Sequence, residues 1–64
     1  MEFKFDDGCV VVVTEHVVYG KGQCAAGPSN VDYYYDKQRG YGCANEKEVA
    51  EQYHRNFCRG GAND

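Results

Sequence analysis

The chain has 64 residues and no leucine, isoleucine or tryptophan, yet it carries four cysteines, Cys9, Cys24, Cys43 and Cys58. Valine and phenylalanine together supply only 11 of the 64 residues. That share lies under the roughly 20 % associated with disorder when net charge is also high. Here the net charge is a modest −3 and six tyrosines add apolar surface, so one folded domain is predicted. A core this thin needs covalent help. An even cysteine count in a short chain points to disulfides. In the chain-entropy view, a bridge closing roughly 15 residues stabilises by about 3 kcal/mol. Composition therefore predicts an oxidising, extracellular setting, with four reduced intracellular thiols as the alternative. Structural zinc takes ligands in close pairs such as C-x2-C. The cysteines are spaced by 14, 18 and 14 residues, so neither zinc nor any other metal is expected. No cofactor is expected either.

Several classes of function are disfavoured. No apolar run is long enough to span a bilayer, so membrane insertion is not expected. The acidic balance offers no broad basic field for nucleic acid. It also counts against direct membrane attack by a cationic peptide. The opening Met1-Glu2-Phe3-Lys4-Phe5 lacks the apolar segment of a signal peptide. A secreted form would need a leader outside this chain, with Met1 not necessarily native.

Along the chain, residues 2–6 alternate strictly, with Phe3 and Phe5 on one face, and predict a strand. Asp7-Gly8 is a favoured type I′ hairpin pair. The next strand, from Cys9 through four consecutive valines, then places Phe5 opposite Val10 and Phe3 opposite Val12. Thr14, Glu15 and His16 interrupt the run, which predicts a bulge or bend before Val17-Val18-Tyr19 resume it. Residues 20–30 read as loop. Residues 31–36 predict a further strand, with Val31, Tyr33 and Tyr35 facing the core and Tyr34 facing outward beside Asp32 and Asp36. Lys37, Gln38, Arg39 and Gly40 form a turn, and Tyr41-Gly42-Cys43 a short return strand.

The last element predicts a helix. Asn45 is a good N-cap, and Glu48 three residues on completes a capping box. Val49, Ala50, Tyr53 and Phe57 recur at helical spacing. Arg59 and Gly60 supply a basic end and a stop, and residues 60–64 a frayed tail. The predicted fold is α+β: a disulfide-stapled antiparallel sheet of three or four strands with one C-terminal helix on a face. A helix rises about 1.5 Å per residue, which puts Cys43 and Cys58 roughly 20 Å apart, beyond disulfide reach. Cys9–Cys24 is disfavoured because a long strand carries the chain away from Cys9. With Cys9 and the helix start expected at one end of the sheet, Cys9–Cys43 with Cys24–Cys58 is favoured over Cys9–Cys58 with Cys24–Cys43.

Few residues carry chemistry. Glu15 and His16, adjacent on an extended segment, should point to opposite faces. His54 and Arg55 fall on a solvated helix face. A ribonuclease-like phosphodiesterase would use His16 and His54 with Glu15 and Arg55, but nothing in the spacing brings them together. With the cysteines bridged, thiol catalysis is not expected. Tyr34, Lys37, Arg39 and Tyr41 cluster around one turn, and Tyr and Arg are enriched at binding hot spots. These four are the expected contact residues for a protein or carbohydrate target.

Tyr41-Gly42-Cys43, followed by a capped helix closed by Cys58, resembles small secreted cysteine-rich fungal proteins of the effector type. Those carry an aromatic-x-Cys element, and some have a ribonuclease-like fold without its activity. The likeness covers residues 41–58. In those proteins the element lies near the mature N-terminus, whereas here it lies in the last third, so only the broad class carries over. It implies a secreted, non-enzymatic protein that acts as an effector or toxin-like module by binding; separately, a monomer is expected. An antimicrobial toxin is the other extracellular option.

Overall fold

A computed structural model describes residues 1–22 and 27–59. Four strands, β1 (Glu2–Lys4), β2 (Cys9–Val13), β3 (Val17–Gly22) and β4 (Ser29–Asn30), form one antiparallel sheet in sequence order. A five-residue helix α1 (Val31–Tyr35) follows, then α2 (Glu46–Tyr53), which runs on into a π-helical stretch at His54–Arg59. The predicted α+β architecture of a four-stranded sheet with a C-terminal helix is what the chain adopts. Val11, Val13 and Val18 of the sheet pack on Val31, Tyr34, Cys43, Val49, Ala50 and Tyr53, with Phe3 and Phe5 against the edge.

The first hairpin forms one residue out of the expected register. Phe3 faces Val11 and Lys4 faces Val10, where Val12 and Val11 were expected. A type I′ turn requires positive φ at both Asp7 and Gly8. Among the described residues no non-glycine residue has positive φ, while Gly8 sits at 89°. The loop is therefore three residues long. The Gly8 N–H donates to the Phe5 carbonyl at 3.2 Å, and the Phe5 N–H donates to the Cys9 carbonyl at 2.8 Å. A type I turn followed by a left-handed glycine is the usual three-residue solution. The slip decides which side chains meet the core, because faces alternate along a strand. Phe3 and Phe5 now share a face with Val11 and Val13.

Thr14 to Val17 is a second tight reversal, the expected bend and not the bulge. Thr14 Oγ1 accepts the Val17 N–H at 3.1 Å and donates to the Val17 carbonyl at 2.8 Å. The chain reverses there, and β3 returns alongside β2 until Gly22 lies opposite Cys9. The predicted loop over residues 20–30 thus yields its first three residues to β3 and its last two to β4. The reversal also removes the ground for disfavouring Cys9–Cys24, since the chain does come back to Cys9.

Residues 31–35 are helical where a strand was expected. The Asn30 side-chain oxygen accepts the Asp32 N–H at 2.8 Å and caps the turn. Val31 and Tyr34, three apart, both reach the core on one helical face. Val31 lies in the core as expected, but the tyrosine faces are inverted: Tyr34 is 3 % exposed, while Tyr33 is 49 % and Tyr35 37 % exposed. Residues 41–43 make no strand. The Cys43 N–H instead donates to the Tyr34 carbonyl at 2.7 Å.

Helix α2 starts as predicted. Asn45 Oδ1 accepts the Glu48 N–H at 3.0 Å, and Glu48 reaches back to the Ala44 N–H at 2.8 Å. Val49, Ala50 and Tyr53 are buried, whereas Phe57 is 48 % exposed. The π-helical stretch accounts for Phe57, because its wider turn rotates the fourth residue after Tyr53 off the stripe. Among the described residues no helix is long and apolar enough to cross a membrane.

Candidate functional site

The loop that joins α1 to α2 carries the expected contact surface. Asp36 Oδ1 accepts the backbone N–H groups of Gln38 and Arg39 at 2.8 and 3.1 Å, and the Asp36 carbonyl accepts from Gly40 at 2.7 Å. This short-range bonding, typical of Asp in turns, presents Lys37 and Arg39 to solvent. Tyr41 is 45 % exposed. Its ring stacks on Tyr34 with centroids 5.4 Å apart and meets Tyr33 edge-on at 5.6 Å. The Tyr41 hydroxyl accepts from Asn56 Nδ2 at 2.8 Å. Three of the four expected residues, Lys37, Arg39 and Tyr41, are therefore exposed on one loop. Tyr34 is the buried platform beneath them, not a contact residue. Tyr33, expected in the core, takes its place at the surface.

Burial pushes the hydroxyl of Tyr34 and the thiol of Cys43 above their ordinary values. Groups that ionise less readily folded than unfolded support the fold fully below their unfolded pKa. They withdraw that support as pH rises through the folded value. Thermal stability should therefore fall steadily above about pH 8.5, where unfolded cysteine ionises, and further above about pH 10, where unfolded tyrosine follows. Melting curves from pH 8 to 11 check this, and a flat profile would contradict the buried positions.

A second cluster lies at the other end of α2, and nothing in the linear spacing announces it. Asp7 sits on the first hairpin turn and its Oδ1 accepts the Cys9 N–H at 3.0 Å. Its Oδ2 lies 2.8 Å from His54 Nε2. The His54 ring stacks on Phe5 with centroids 4.0 Å apart and planes 3° from parallel. His54 is 8 % and Cys9 4 % exposed, so His54 is not on a solvated face as expected. The one available signal was its place four residues after Ala50, on the border of the apolar stripe. Accepting the Cys9 N–H, then the His54 hydrogen bond, holds the Asp7 carboxyl below its usual range. Burial, then the neighbouring Asp7 charge, pushes the Cys9 thiol up. A thiol held protonated is a poor nucleophile. An open cleft of 570 Å³ adjoins the cluster, lined by Phe5, Asp6, Asp7, Glu51, His54 and Arg55.

The two histidines needed for a ribonuclease-like centre are not brought together. His16 lies on the exposed turn before β3, and His54 lies near the Gly22 end of β2 and β3. Six residues of strand separate those ends, roughly 20 Å at about 3.3 Å per residue. Glu15 and His16 do not oppose each other, because they occupy a turn, where Glu15 Oε1 and His16 Nε2 are 3.7 Å apart and almost fully exposed.

The favoured Cys9–Cys43 bridge is not formed, and both cysteines are free and buried. The expectation failed on the direction of α2. Cys43 precedes its N-cap, whereas Cys9 lies beside His54 at its far end. Eight helical residues span about 12 Å, beyond the roughly 7 Å that a disulfide allows. The companion Cys24–Cys58 pairing and the expected tail fall outside the described residues and side chains. Comparison with protein-family models, with curated proteins and with solved structures found no match.

Proposed function

We propose that this chain is a secreted, non-enzymatic interaction module that binds a protein target through Tyr33, Tyr41, Lys37 and Arg39. One observation carries the reading: two half-exposed tyrosine rings, Tyr33 edge-on and Tyr41 stacked against the buried Tyr34, lie in the same region of α1 and its loop as two exposed cations. Rings held by their neighbours lose little entropy on binding, and Tyr and Arg dominate interface energetics. The separation of the two histidines and the burial that pushes the Cys9 thiol up favour binding over catalysis. Secretion rests on the cysteine content and on the likeness at residues 41–58. The alternative of a reduced intracellular binding protein draws on one observation, the free thiols of Cys9 and Cys43. Titrating thiols in the native protein without reductant separates the two, since four reactive thiols would remove the extracellular reading.

The binding surface is tested by capture from a host or competitor extract, followed by affinity measurement with the captured partner. Tyr41→Ala should weaken binding roughly 30-fold, the effect of a hot-spot residue worth about 2 kcal/mol. Arg39→Ala should weaken it several-fold. Both variants should keep the wild-type circular dichroism, because both side chains are exposed. Capture unaffected by either change, or retention on a glycan array alone, would remove the protein-binding reading.

A further inference from the structure

We propose that Asp7, Cys9 and His54 form a binding site for a divalent transition-metal ion of the zinc type. Each residue offers one ligand atom, and the three atoms lie within 4.8 Å of one another. A carboxylate oxygen, a sulfur and an imidazole nitrogen make a mixed donor set that suits Zn²⁺ far better than Mg²⁺ or Ca²⁺. With Zn–N and Zn–O bonds of about 2.0–2.2 Å, a tetrahedral site needs N and O about 3.3 Å apart. His54 Nε2 and Asp7 Oδ2 stand at 2.8 Å, so insertion of the ion asks the pair to open by about half an ångström. Asp7 can supply that movement, because its side chain is 45 % exposed on a turn.

The other two ligands are already held. The stack on Phe5 fixes the plane of His54, and Cys9 is locked at the start of β2. The hydrogen bond from the Cys9 N–H to Asp7 Oδ1 orients the carboxylate from behind, as supporting groups do in metal sites. Local charge favours a cation as well, since Asp6, Asp7 and Glu51 outnumber Arg55 around the adjoining cleft. A bound cation would also reverse the local balance at Cys9 and stabilise the thiolate that the unliganded site disfavours. Three protein ligands leave a fourth position for water. The ion would join the β1–β2 turn to the end of α2. That is the cross-link a core without leucine or isoleucine calls for, supplied at a place where the favoured disulfide does not form.

The test is titration of the reduced, metal-free full chain with Co²⁺ and then Zn²⁺. One equivalent of Co²⁺ should produce a near-ultraviolet thiolate-to-metal band together with tetrahedral visible bands. Zn²⁺ should bleach both and raise the melting temperature. Cys9→Ser should abolish the thiolate band. His54→Gln and Asp7→Asn should each weaken affinity by more than the roughly 10–100-fold that loss of an outer partner costs. Cys43→Ser should leave stoichiometry and band unchanged. Circular dichroism of each variant checks the fold, and Asp7→Asn, on an exposed turn, remains informative if His54→Gln does not fold. The proposal is overturned if the reduced chain takes up no ion. It is equally overturned if the Cys9→Ser band is undiminished, or if Cys9 of the native protein is found in a disulfide.

Discussion

Tyr53→Ala should leave this chain unfolded at 25 °C. Tyr53 is the largest of the fully buried side chains. Removing a buried aromatic ring from a packed core costs about 3–5 kcal/mol. The hydroxyl adds a second cost, because it accepts the Gly20 N–H at 3.0 Å and donates to the Gly27 carbonyl at 2.6 Å. Gly20 is buried, and an unpaired buried amide costs about 1–3 kcal/mol. A domain of this length has roughly 3–10 kcal/mol in all. Tyr53→Phe separates the two contributions. It keeps the ring and should lose only about 1–3 kcal/mol, or very roughly 5–20 °C in melting temperature. Urea and thermal unfolding of both variants check the pair. A cooperative melt of Tyr53→Ala within about 10 °C of wild type would show that the ring does not carry the core. The consequence reaches beyond stability, because Tyr53 fixes the roll of α2 against β3. The next residue, His54, meets Asp7 only at that roll.

Local chemistry made some of this legible in the sequence. Asn45 and Glu48 announce the start of α2 because a cap and its box are set by residues three apart. Glycine at position 8 announces a turn for the same reason. The misses arose where a local rule competed with another or where tertiary placement decided. Asp-Gly predicts a two-residue turn, but Asp7 keeps a negative φ, and one extra loop residue moved Phe3 and Phe5 to the other valine face. A run of three tyrosines reads as strand by propensity. The Asn30 cap and the three-residue spacing of Val31 and Tyr34 made it helix instead. The direction of α2 relative to β2 left no mark on any short window, and it alone decides that Cys9 neighbours His54 rather than Cys43. The loop residues Lys37, Arg39 and Tyr41 were recoverable because a turn exposes its side chains whatever surrounds it. Asp7 and His54, 47 positions apart, were not.

Gly40→Ala should cost about 4 kcal/mol or more, the exceptional end of single substitutions, although it adds only one carbon. A Cβ at position 40 would meet the Tyr33 carbonyl head-on, with the carbonyl carbon at 2.6 Å and the Asp36 carbonyl oxygen at 2.9 Å. All of these are backbone atoms, so no side chain can swing aside. The last turn of α1 would have to part from the loop. That movement breaks the Gly40 N–H bond to the Asp36 carbonyl and the Cys43 N–H bond to the Tyr34 carbonyl, both 2.7 Å. It also draws Tyr41 off the Tyr34 ring, so any folded fraction should lose the tyrosine surface and, with it, partner binding. Two other glycines calibrate the result. Gly42 has φ +66° and only the Lys37 side chain and Cα nearby, so Gly42→Ala should cost about 1–2 kcal/mol from backbone strain. Nothing lies within 4 Å of a Cβ at Gly27, and Gly27→Ala should stay within about 0.5 kcal/mol of wild type. Thermal melts should therefore rank Gly40 far below Gly42, and Gly42 below Gly27. If Gly40→Ala melts within a few degrees of wild type, the loop is not seated on α1 and Tyr33 and Tyr41 do not form one surface.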